Sequence, residues 1–319
     1  MGTALTHRFI DANGIRIHVA EQGEGPTVVL LHGFPESWYS WRHQLAGLSA
    51  AGYHVVALDM RGYGQTDAPA DAAEYTMLHL VGDVIGVITA LGTAPVVVVG
   101  HDWGAPAAWH TALFRPDLVR GVAGLSVPYV PRGDADMLTA MAALITERNY
   151  QAYFQTDDAE DALNADIETF VRRFVYTLSG DNPVGHDLSI PAGVELLDSL
   201  ADTDQLPPWL TADDLAFYVG EFARVGIRGG LNWYRTSKHN HALLAPWTGA
   251  PITTHALYVG GDRDTVVNWP GMRDYIGIMQ MAVPNLTKAV ILDGCGHWTQ
   301  QERPDEVNAL LLEFLGTLS

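Results

Sequence analysis

Residues 100–104, Gly-His-Asp-Trp-Gly, follow an unbroken apolar run at 96–99 and lead into a helix-like stretch, APAAWH. Their spacing is that of a nucleophile elbow, in which small residues two places before and after the central one let a strand turn sharply into a helix. The central residue is Asp102 where a serine would be expected. An Asp also suits a helix N-cap, so the pentapeptide alone leaves two uses open. As a nucleophile, a carboxylate implies a particular chemistry. A serine that attacked a saturated carbon would leave an ether, which a histidine-activated water cannot open. A carboxylate attacking the same carbon leaves an ester, and water can then attack the carboxylate's own carbon. Asp102 therefore points to an sp³ electrophile carrying a leaving group, such as an epoxide or an alkyl halide. The Trp103 N–H, at the start of the helix, is a candidate donor to developing negative charge.

Three other stretches supply companions. HGFP, residues 32–35, follows an apolar strand and can present the Phe34 N–H as a second oxyanion donor. GCGHW places His297 in a glycine-rich turn after the last strand, where a general base would sit. GGDRD, after the strand before it, offers Asp262 or Asp264 to orient that histidine. Nucleophile, acid and base thus come in the chain order of the α/β-hydrolase fold, each just past the carboxyl end of a strand.

These turns need a scaffold that brings strand ends together. RFIDANG and IRIHVAEQG meet at Asn13-Gly14, a hairpin turn. TVVLL, HVVAL, PVVVVG and VAGL are apolar runs of the buried, parallel type, separated by helical stretches. The alternation predicts a mostly parallel sheet with helices on both faces. From Val130 to Pro246 the rhythm stops, and the sequence there is helical with no convincing buried strand. It resumes with THALYVGG, a helix near 272–281, the strand TKAVILD and a final helix EVNALLLEFLGTL. The expected division is residues 1–129 and 247–319 for the α/β core, with 130–246 as an inserted helical cap over the strands' carboxyl ends, where open α/β sheets bind ligands.

How the leaving group is stabilised separates the two electrophiles. A halide needs N–H donors such as the Trp103 indole. An opening epoxide leaves an alkoxide, which needs acids, and tyrosine hydroxyls in the cap would serve. HGFPESWYSWRHQ, DMRGYG, GHDWGAP, IRGGLNWYR and GHWTQQERPDEV resemble the α/β-hydrolase-fold epoxide hydrolases of the microbial and mammalian soluble type over nearly the whole chain. The resemblance implies an epoxide hydrolase that needs neither metal nor organic cofactor. It implies Asp102 as nucleophile, His297 as base and Asp264 as its partner. Tyr234, in NWYR, and Tyr150, rather than Tyr153, are the implied acids. It also implies a cis Phe34-Pro35 peptide and a substrate site bordered by Phe34, Pro35, Trp103 and Trp298. A haloalkane dehalogenase with the same triad, or a ligand-binding protein without turnover, is the alternative. Some dehalogenases carry the acid after the sixth strand, but here that place reads LSVPYV, with no carboxylate.

Composition narrows the partners. A formal net charge of −19 argues against nucleic acid, whose phosphates need Lys and Arg. Cys295 is the only cysteine, so no intramolecular disulfide or cysteine-based metal site can form. No apolar run approaches the ~18 residues of a membrane span, and the first residues lack the basic and apolar regions of a signal peptide. A loose myristoylation pattern begins at Gly2. The expectation is a cytoplasmic protein, with a homodimer through its cap among the candidate assemblies, acting on a small hydrophobic epoxide and water without stable membrane association.

Overall fold

The structure, a computed structural model, describes residues 4–144, 148–185 and 188–318; the Gly2 pattern lies outside them. Strands β1 (Thr6–Ala12), β2 (Ile15–Gln22), β3 (Thr27–Leu31), β4 (His54–Leu58), β5 (Val96–His101) and β6 (Val119–Leu125) come first. The two-residue strands β7 (Arg148–Asn149) and β8 (Ser189–Ile190) pair with each other away from the main sheet, followed by β9 (His255–Gly261) and β10 (Leu286–Leu292). The main sheet has the order β1-β2-β4-β3-β5-β6-β9-β10. Only β1 with β2 and β2 with β4 are antiparallel. The central strands are buried end to end: TVVLL in β3 and VVVVGH in β5. Alternate residues feed opposite cores. Val29, Leu31 and Val98 join one cluster with Val84, Val87 and Trp109 of helices α2 (Met77–Leu91) and α3 (Gly104–Phe114). Val28, Leu30 and Val99 join the other with Leu45 and Leu48 of helix α1 (Arg42–Ala50) and Leu311 and Phe314 of the last helix, Pro304–Thr317. Each such side chain contributes about 1.5–3 kcal/mol of burial free energy.

Between β6 and β9 the chain leaves the sheet for a run of helices, among them Ile167–Thr177, Ala212–Val225 and Arg228–Arg235. No convincing buried strand was expected there, and among the described residues the strands found are the short β7–β8 pair. This excursion is bound to the core by named contacts. Tyr39 donates to Asp214 at 2.9 Å, Arg42 pairs with the same carboxylate at 3.2 Å, and the Trp233 indole donates to the Arg61 carbonyl at 3.0 Å. Glycine lets helix Arg228–Arg235 come this close: a Cβ on Gly229 would lie 2.2 Å from the Gly62 carbonyl oxygen, and one on Gly230 would lie 2.7 Å from the Phe34 ring. No helix among the described residues is long and apolar enough to cross a membrane.

Candidate active site

The carboxyl ends of the parallel strands β3, β5, β6, β9 and β10 lie along one edge of the sheet. Asp102 sits at the β5 turn with φ of +48°, a left-handed conformation that costs a non-glycine residue roughly 1 kcal/mol or more. The flanking glycines make the turn possible. A Cβ on Gly100 would lie 2.0 Å from the Gly104 carbonyl oxygen, and one on Gly104 would lie 2.1 Å from that of Leu31. The Phe34 N–H donates to Asp102 Oδ1 at 2.7 Å, and the Phe34–Pro35 peptide is cis. His297 Nε2 lies 3.4 Å from Asp102 Oδ2, and His297 Nδ1 lies 3.0 Å from Asp264 Oδ1. Of the two candidate acids, Asp264 is the one beside His297; Asp262 instead accepts the Cys295 N–H at 3.2 Å. Burial alone would lower the His297 pKa. The Asp264 charge and hydrogen bonds to Asp102 and Asp264 outweigh it, holding the imidazole well above its usual value.

Tyr150 and Tyr234 reach the same cavity from the excursion. It is lined by Phe34, Asp102 and His297 from the core and by Tyr150, Tyr234 and Phe174 from the excursion, with Thr265, Val266 and Trp269 at its rim. The two phenol rings stand 5.8 Å apart between centroids, at 77°. Burial, with the Asp102 charge adding to it, raises both above the usual tyrosine value, so both hydroxyls keep their protons. Tyr150 opens a short helix capped by Asn149, whose side chain accepts the Ala152 N–H at 2.9 Å. Tyr153 packs under the Arg148 guanidinium instead and does not line the cavity.

Of the four residues expected to border the substrate, Phe34 lines this cavity, and Pro35, Trp103 and Trp298 are not among its lining residues. Trp298 is fully buried, its ring is edge-on to His297 at 4.8 Å, and its indole donates to the Val175 carbonyl at 2.8 Å. Trp103 stacks edge-on against Tyr234 at 5.1 Å. Sequence reasoning missed Ser126, whose Oγ lies 2.9 Å from His297 Nδ1 and whose φ is +68°. It occupies the place after β6 where no carboxylate was found, so the second acid position holds a hydroxyl. Also missed was a buried chain behind the site. Glu36 accepts from His101 Nδ1 at 2.7 Å, and His101 Nε2 donates to the His297 carbonyl at 2.7 Å. Both ring nitrogens of His101 thus face oxygen atoms. Despite burial, His101 and the Gly33 N–H hold Glu36 at about 2.

Residues 26–304 match the α/β-hydrolase fold family. Epoxide hydrolase 2 of Siraitia grosvenorii is 40% identical over 316 residues, covering 98% of this chain and 98% of its own length. The chain belongs to the epoxide hydrolases. Epoxide hydrolase A of Mycobacterium tuberculosis is likewise 40% identical over 318 residues, with 98% of both chains covered. A solved epoxide hydrolase from an endophytic Streptomyces superposes with a TM-score of 0.95 at 46% identity, covering 98% of this chain and 96% of that one. The coverage of this epoxide hydrolase by its relatives includes the helical excursion as well as the sheet.

Proposed function

We propose that this epoxide hydrolase converts a small hydrophobic epoxide and water into a vicinal diol through an ester on Asp102, with residues 130–246 serving as the cap. The observation that carries the reading is that one cavity is lined by a carboxylate, two protonated phenols and an imidazole. Asp102 Oδ2 attacks a ring carbon; the ring C–O bond breaks, and its oxygen takes a proton from Tyr150 or Tyr234. Asp102 Oδ1, held by the Phe34 N–H, becomes the ester carbonyl. His297, oriented by Asp264, then takes a proton from water. The hydroxide attacks the Asp102 carboxyl carbon, and the oxyanion is held by the Phe34 and Trp103 N–H groups. Collapse breaks the Asp102 Cγ–Oδ2 bond; the departing oxygen takes the proton held by His297, the remaining carboxyl proton restores the phenol, and the diol leaves with Oδ2, so an oxygen from water stays in Asp102. The aromatic walls, Phe34 and Phe174 among them, fit an apolar substituent. A halide would have no use for two phenols, which favours the epoxide over the dehalogenase reading.

Single turnover in H₂¹⁸O tests this. The label is expected in the peptide that carries Asp102, with mostly unlabelled oxygen in the first diol, and Asp102→Asn is expected to form no ester. Label entering the first diol directly, with none in the protein, would overturn the covalent route.

A further inference from the structure

Behind His297 lies a buried carboxylate that the reaction does not use. Glu302 is only 6% exposed, and it accepts three backbone N–H groups. Its Oε2 takes those of Gly180 and Gly296, both at 2.9 Å, and its Oε1 takes that of Trp298 at 3.1 Å. Gly296 and Trp298 flank the base; Gly180 belongs to the cap, in the turn after helix Ile167–Thr177. The N–H of His297 itself donates to the Leu178 carbonyl of that same cap turn at 2.9 Å. All three consecutive N–H groups around the base are therefore taken by Glu302 or by the cap. The Gly180 carbonyl closes the circuit by accepting from Arg263, the neighbour of Asp264, at 2.7 Å.

The two chains meet backbone to backbone. A Cβ on Gly296 would lie 2.2 Å from the Gly180 nitrogen, and one on Gly180 would lie 2.6 Å from the Gly294 carbonyl oxygen. Glu302 is in turn held from below. The preceding Gln300 and Gln301 both donate to Glu36 Oε1, at 2.8 and 3.1 Å, and Gln301 accepts from Arg42 and from Tyr218 of the cap. Burying a carboxylate is costly unless its oxygens are bonded, and here two of the three bonds go to the backbone on either side of His297 and the third to the cap turn.

We infer that Glu302 is a positioning residue that latches the cap turn 178–180 to the His297 loop, so that the water-activating base is held in place only when the cap is seated. The inference rests on the covalent mechanism proposed above. Because His297 acts only in ester hydrolysis, while Asp102, the Phe34 N–H and the two phenols are placed by other elements, loosening the latch slows the second half-reaction selectively. General destabilisation would lower both half-reactions together through the active fraction.

The test is Glu302→Gln, measured by rapid quench and intact-protein mass under single turnover with styrene oxide, beside wild type and His297→Gln. The expected result is ester formation within about twofold of wild type and hydrolysis slowed at least about tenfold, so the adduct accumulates. If Glu302→Gln does not fold, Glu302→Asp, which keeps the charge but shortens its reach, is expected to show a weaker bias of the same kind. Unchanged hydrolysis, or equal losses in both steps, overturns the latch while His297→Gln still accumulates adduct. Failure of His297→Gln to accumulate adduct overturns the covalent reading and the latch with it.

Discussion

His297 Nε2 rests 3.4 Å from Asp102 Oδ2 while Asp264 holds the opposite ring nitrogen at 3.0 Å, so the imidazole lies between two carboxylates. Burial works against its charge, yet the two carboxylates keep it protonated in the resting protein. A protonated imidazole is no base. In the proposed mechanism alkylation of Asp102 changes this, because the ester is neutral and one of the two charges that hold the proton disappears. The step that creates the ester thereby lowers the pKa of the group that must open it. On that reading, the charge balance of the three residues sets the order of the two half-reactions.

Replacing the base separates the halves. His297→Gln is expected to form the ester normally and to hydrolyse it about 10²–10⁴-fold more slowly, the usual range for loss of a general base. Intact mass would rise by the mass of the epoxide. Undiminished turnover without an adduct would remove His297 from the role.

Acid should act on the same step. The folded pKa of His297 is raised, and in the ester it loses the Asp102 contribution. Hydrolysis is therefore fully active above the pKa of the ester form and is lost as pH falls through it. Ester formation does not need a neutral imidazole and continues. Rapid quench in acidic and neutral buffers is expected to show more ester in acid; equal ester at both would contradict this sequence of charges.

The phenols govern the first step. Tyr150→Phe with Tyr234→Phe together should slow ester formation about 10²–10⁴-fold, and each alone should slow it less, since the other still donates. Because both pKa values are raised by burial, the alkaline loss of ester formation is expected above the ordinary tyrosine value of about 10. A double variant with wild-type ester formation would clear both tyrosines of acid catalysis.

The elbow itself can be tested by stability. Gly104→Ala would put a Cβ 2.1 Å from the rigid Leu31 carbonyl, and overpacking of this kind costs about 1–3 kcal/mol. A lower melting temperature together with reduced ester formation is expected. An unchanged melting temperature would mean the turn has room that the geometry denies.

The sheet, the place of the helical excursion between β6 and β9 and the residues now beside one another at the site were legible because each leaves a local trace. Apolar runs mark the buried strands β3, β5, β6 and β9, and glycines at fixed offsets mark the turn at Asp102. Tyr234 and Tyr150 were another matter. Nothing in their surroundings separates an acid from a core aromatic, and only likeness to a family singled them out.

What could not be read from one dimension is how loops at the ends of different strands meet. Ser126 and His297 are 171 residues apart and touch at 2.9 Å. Glu302 reaches Gly180 across 122 residues. Trp298, beside His297 in sequence, packs edge-on to its ring and donates to the Val175 carbonyl. Local pattern reports whether a residue is buried and how the backbone turns. Which partner it meets depends on strand order and on where the cap sits, and those follow from packing the whole chain at once.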